Sequence, residues 1–81
     1  MRRIYHVEAR RDQEGGVWVA ESEDVPGLVA EGQSPNVLAA KLRVLIPELL
    51  ELNGVLPPGN EPVEFVVRYQ HEETGVVAQA T

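Results

Sequence analysis

Apolar and polar side chains alternate from Arg3 to Arg10, with Tyr5, Val7 and Ala9 on one side and Ile4, His6, Glu8 and Arg10 on the other. That two-residue period predicts a half-buried strand. Arg11 to Gly16 is polar and ends in two glycines, which predicts a hairpin loop. Val17 to Ser22 reads as a second strand. Val25-Pro26-Gly27-Leu28 follows, with proline presetting φ at the second turn position and glycine accepting a positive φ at the third. A type II turn is expected there. Leu28 to Glu31 makes a third strand, which Gly32 breaks.

The period then changes. Leu38, Leu42, Leu45, Leu49 and Leu52 recur at steps of three and four, and Val37, Ile46 and Leu50 widen the stripe. Ser34 is a good N-cap and Pro35 is tolerated at the first helical position. Asn53-Gly54 supplies the stop. The helix is therefore about 18 residues, roughly 27 Å at 1.5 Å per residue. Pro47 falls inside it and deletes one backbone hydrogen bond. Either the helix bends between Arg43 and Pro47 or it breaks into two at Ile46; the unbroken leucine spacing favours the bend. Val55 to Glu61, with its Pro-Pro-Gly-Asn, is a loop. Alternation returns over residues 62–71, where Val63, Phe65, Val67 and Tyr69 share a side opposite Glu64, Val66 and Arg68. The tail from Glu72 to Thr81 is polar apart from Val76-Val77 and either frays or pairs at a sheet edge.

The order β-β-β-α-β predicts an α+β domain: a mostly antiparallel four-stranded sheet with one long helix on one face. The other face has no helix to cover it. Trp18 and Ala20 lie either on that face, with Ile4 and Val66, or inside under the helix. On the uncovered face Trp18 would be an interface anchor.

Length turns this architecture into a stability problem. A chain of 81 residues makes one domain, with its core over about residues 3–70. It buries only about 60% of its unfolded surface. There is no cysteine, so disulfides and thiolate metal sites are excluded. Oligomerisation, with a dimer favoured, is the expected source of added stability. No signal-peptide pattern and no apolar run of membrane-span length is present, which places the protein in the cytoplasm.

The net charge of −6 is unevenly distributed. Residues 1–11 are basic, whereas Asp12 to Ala40 holds six acids and no lysine or arginine. An acidic middle repels a phosphate backbone, so no direct nucleic-acid binding is expected. It would attract a basic protein instead.

In order along the chain, Gly16-Val17-Trp18, Asp24-Val25-Pro26-Gly27-Leu28, Glu31-Gly32, Ser34 and the long helix resemble the N-terminal domain of HicB-type antitoxins. A small uncharacterised prokaryotic HicB-like family is more similar still, through Val17 to Val19, Asp24 to Leu28, and Pro47 to Asn53. The resemblance covers roughly residues 3–70. It implies a fold described as a partial ribonuclease H fold, with no catalytic role. It implies binding to a small basic HicA-like toxin. HicB proteins add a C-terminal DNA-binding module; only ten residues follow the fourth strand here, too few for one.

Candidate chemistry stands beside that resemblance. Glu8, Glu21, Glu23 and Asp24 are the carboxylates a two-metal nuclease would need, but no catalytic core is evident around them. His6 and His71 could face each other if the first and fourth strands were neighbours, yet a metal site needs more ligands, and ordinary surface histidines are the favoured reading. Ser22 has no base at hand, and Asp24 is first a turn residue bonding local backbone N–H groups. The glycines form no nucleotide fingerprint. No metal, cofactor or catalysis is expected. The expected role is protein–protein contact, through Trp18, Glu21, Glu23, Asp24 and Glu31. A self-associating structural protein is the alternative, and a metal-dependent nuclease a remote one.

Overall fold

The computed structural model describes residues 3–55, 62–71 and 75–78. They form β1 (Ile4–Asp12), β2 (Val17–Glu21), β3 (Val29–Gly32), α1 (Pro35–Leu52) and β4 (Glu64–Gln70), the predicted order. The strands make one mixed sheet in the order β3-β2-β1-β4. β1–β2 and β2–β3 are antiparallel, while β4 joins β1 in parallel. A parallel neighbour requires a crossover connection. Helix α1 supplies it, carrying the chain back before β4 enters on the far side of β1.

Register decides the two faces. Tyr5, Val7 and Ala9 are buried, and Ala20 and Ala30 lie in line with Ala9 across β1, β2 and β3. On the other side of β1, Phe65, Val67 and Tyr69 fall opposite Tyr5, Val7 and Ala9. Three alanines in one row leave room for a helix to lie close. Trp18 pairs with Arg11 and Gly32, which places it on this covered face with Ala20. The alternative of Trp18 and Ala20 on the uncovered face is corrected. The reason is that Ala9 meets Ala20, so β2 takes the parity of the buried side of β1. Ile4 and Val66 do lie on the uncovered face, 45% and 48% exposed.

Helix α1 buries Leu38, Leu42, Ile46 and Leu50 completely, a run of four-residue steps, with Leu45 and Leu49 packed beside them. Leu52, assigned to the stripe by its spacing, is 82% exposed, standing about 200° round the helix from fully buried Leu50. The Ser34 hydroxyl accepts from the Val37 N–H at 3.2 Å. At the other end Gly54 adopts φ +68°. Its N–H donates to the Glu51 carbonyl at 3.0 Å, and the Val55 N–H to Leu50 at 2.9 Å, so the last carbonyls are satisfied in a Schellman motif. The helix is continuous through Pro47.

Two close approaches fix where α1 sits. A β-carbon on Gly32 would stand 2.8 Å from the Leu38 backbone nitrogen, so β3 and the helix start touch through a residue without a side chain. At the far end the Asn53 side-chain amide donates to the Pro26 carbonyl at 3.3 Å, pinning the helix end to the β2–β3 turn. That turn closes as expected: Leu28 N–H donates to Val25 at 3.1 Å and Gly27 has φ +82°. Val25 and Leu28 point into the core while Pro26 and Gly27 stay exposed. Midway, the Lys41 ammonium donates to the Glu31 carbonyl of β3 at 2.7 Å.

Strand β1 runs two residues further than its alternation predicts, since Arg11 and Asp12 pair with Trp18 and Val17. The loop is then short. Gly16 N–H returns to the Asp12 carbonyl at 2.7 Å, and the Asp12 carboxylate accepts from Glu14 N–H at 3.1 Å. The Pro-Pro-Gly-Asn stretch of the predicted loop lies outside the described residues. So does much of the tail; within it Val76 and Val77 belong to no strand and are 95% and 90% exposed.

Candidate functional site

Among the described residues nothing packs on the face of the sheet opposite α1. Its side chains are the even-numbered residues of β1 and β4, with Val17, Val19 and Glu21 of β2 and Val29 and Glu31 of β3. Read across the strands, one row runs Val29, Glu21, Glu8, Arg68 and the next Glu31, Val19, Arg10, Gln70. Glu8 and Glu21 are therefore directly opposed, an arrangement that costs stability because like charges meet. Arg10 relieves Glu21 diagonally, with Nη2 3.3 Å from Oε1. Both side chains are well exposed (70% and 59%), so this pair contributes at most about 1 kcal/mol. Arg68 lies beside Glu8 from the β4 side. His6, Glu8, Val66 and Arg68 line a shallow depression here.

Where β2 turns away after Glu21, side chains continue its ladder. His6 N–H donates to the Asp24 carboxylate at 2.8 Å. The Ser22 hydroxyl donates to the His6 carbonyl and accepts from the N–H groups of Asp24 and Val25 at 3.1 and 3.2 Å. Both backbone groups of His6 thus keep partners where β2 no longer faces them. Ser22, Asp24 and His6 meet as a backbone clasp, not as a nucleophile, acid and base: His6 takes part through its main chain.

The residues expected to meet a partner are divided by this geometry. Glu21 and Glu31 share the uncovered face. Glu23 is exposed just beyond β2, and half-buried Asp24 is committed to the His6 amide. Trp18 lies on the opposite side, half-buried, its ring edge-on to Tyr69 with centroids 5.3 Å apart. The Tyr69 hydroxyl in turn donates to the Pro35 carbonyl at 3.3 Å. Trp18 closes the core beside the start of α1. His6 and His71 do not face each other. β1 and β4 are neighbours, but their register sets His6 against Val66 and leaves His71 after the end of β4, with its ring 6.4 Å from that of Trp18.

Sequence reasoning assigns no partner role to Glu8, the acid at the centre of the charged row. The alternation of β1 places it on the right side, but only the β1–β2 register brings it to Glu21. Among the described residues no group of three or more His, Cys, Asp or Glu side chains is gathered as a metal site requires, and no helix is long and apolar enough to cross a membrane.

A family model described as a domain of unknown function (DUF1902) matches residues 4–78. The chain is also similar to a hypothetical protein, TTHA1013, from the extremely thermophilic bacterium Thermus thermophilus, whose crystal structure is known. Identity is 44%, the match covers 93% of this chain and 100% of that one, and the TM-score is 0.68. No curated protein matches.

Proposed function

The chain belongs to the DUF1902 family, and we propose that it is a non-enzymatic protein-interaction module of the HicB-like antitoxin type, working in the cytoplasm. Its uncovered sheet face would meet a small basic partner. The observation that carries this reading is the charged row on that face. Glu8 and Glu21 stand opposite each other on adjacent strands, with Glu31 near them on β3. Within the chain Arg10 pairs with Glu21 and Arg68 lies beside Glu8, and a cationic side chain of a partner seated between the two opposed carboxylates would relieve the repulsion that remains. Valines at positions 17, 19 and 29 give the same face apolar ground between the charges. Occlusion would be the mode of action: a complementary acidic surface covering the partner's nucleic-acid-binding site. The resemblance to HicB-like proteins supports a HicA-like toxin as that partner.

The test is charge reversal on the face itself, Glu21→Lys with Glu31→Lys, which spares the Asp24 clasp. The wild-type chain is co-expressed with the products of its neighbouring genes, and complexes are weighed by light scattering after size exclusion. A complex with a small basic protein is expected, weakening at least tenfold in the double variant (about 1.4 kcal/mol) and losing much of its salt dependence. Unchanged affinity and unchanged salt dependence would remove this face from the interaction.

A further inference from the structure

The two edge strands of the sheet are unlike. β3 has four residues, and a lysine ammonium sits on its backbone where Lys41 bonds Glu31. Short edges and lysines are the means by which sheets avoid pairing with other chains. β4 is seven residues long, and among the described residues no strand pairs with its outer side. Beside it runs an open groove lined by Ile4, Ala39, Arg43, Val63, Phe65 and Val66.

We propose that β4 is a homodimer interface, pairing antiparallel with β4 of a second copy about a two-fold axis centred on Val66. The sequence Glu64-Phe65-Val66-Val67-Arg68 is self-complementary about its middle residue. An antiparallel dyad there sets Glu64 opposite Arg68 of the second copy, and Arg68 opposite Glu64 of the second copy. Val66 meets its own copy between them. On the covered side Phe65 and Val67 meet in the same reciprocal way, extending both cores. Neighbouring registers lose this match: moving the axis one residue either way sets a charge against Val66, and moving it two sets Glu64 on Glu64 or Arg68 on Arg68. Cross-strand pairs of opposite charge stabilise antiparallel strands and like charges oppose them, so the pattern selects one register. The axis stands perpendicular to the sheet. The two helices therefore lie on one side of an eight-stranded sheet and the two uncovered faces on the other. The interface shares Arg68 with the charged row of the uncovered face, but Glu21 and Glu31, whose reversal tests the proposed partner, take no part in it, so the two proposals fail separately.

Sedimentation of the purified chain should give twice the 8.9 kDa mass of one copy. Glu64→Arg and Arg68→Glu should each weaken the dimer about tenfold or more, by placing like charges opposite each other twice. Mixing the two variants should restore a heterodimer. One of its charge pairs then joins the introduced arginine to the introduced glutamate, and the other joins the native Arg68 of the first variant to the native Glu64 of the second. A second measurement avoids changing any charge. The protein has no cysteine, so Val66→Cys should form a disulfide-linked dimer under mild oxidation, while Val29→Cys on β3 (73% exposed as valine) should stay without a cross-link. A monomer at all concentrations, a dimer indifferent to both charge variants, or equal cross-linking at positions 29 and 66 would each overturn the proposal.

Discussion

On one face of the sheet, Tyr5, Val7, Ala9, Ala20 and Ala30 lie under Leu38, Leu42, Ile46 and Leu50, all buried and none charged. On the other, Glu8, Arg10, Glu21, Glu31 and Arg68 share the surface with partly exposed valines. The same backbone carries both, because successive residues of a strand point to opposite sides. The covered face carries the fold's stability. The uncovered face accepts unfavourable neighbours, such as Glu8 against Glu21, that no core would tolerate. Stability and the proposed recognition are therefore separable at the level of single residues, odd from even along β1.

That separation is broken most strongly by Leu42→Ala. Its side chain is fully buried in the middle of the helix stripe, and removing it should cost about 2–5 kcal/mol in urea denaturation. Domains of this kind hold only about 0.05–0.15 kcal/mol per residue, so this change takes a large share of the total. Gly32→Ala comes next. Its β-carbon would meet helix backbone at 2.8 Å, and the forced shift of α1 should cost about 1–3 kcal/mol in the same assay. Asp24→Ala sits where the two faces meet. It leaves the His6 N–H without its acceptor, at about 1–2 kcal/mol, and amide exchange at His6 should speed up while exchange at Val7 and Ala9 follows only the global change. The smallest effect sharpens the contrast by nearly cancelling. Glu8→Gln should change stability by no more than about 0.5 kcal/mol, since it removes both the like-charge pair with Glu21 and the opposite-charge neighbour Arg68, while weakening any basic partner. A loss above about 1 kcal/mol would mean that Glu8 supports the fold and not the surface.

Much of this molecule is legible without coordinates, and the parts that are not share a cause. The strands β1 and β4 and the helix are readable because their periods are clean and the helix ends carry Ser34-Pro35 and Asn53-Gly54. The side of Trp18 is not, because Val17, Trp18, Val19 and Ala20 are all apolar and have no alternation to read. Only the pairing of Ala9 with Ala20 decides it. The same holds for the opposition of Glu8 and Glu21 and for the parallel placement of β4: each depends on register between segments far apart in sequence. Ser22 gives no signal of its role, since a hydroxyl that replaces a missing strand is defined by the backbone it faces. Asp24 is legible as a turn residue bonding backbone N–H groups, but its acceptor duty reaches 18 residues back to His6.

The bond from Lys41 to the Glu31 carbonyl has a consequence in the language of polymers. A sheet with two pairing edges is a bifunctional monomer, and its products lengthen with concentration until they precipitate. A sheet with one edge spent in this way is monofunctional. In the proposed dimer, two such units joined through β4 would present only their four-residue β3 ends, and the reaction would stop at a degree of polymerisation of two. In that dimer the short β3 strand and the Lys41 bond on it would together play the part of a chain terminator.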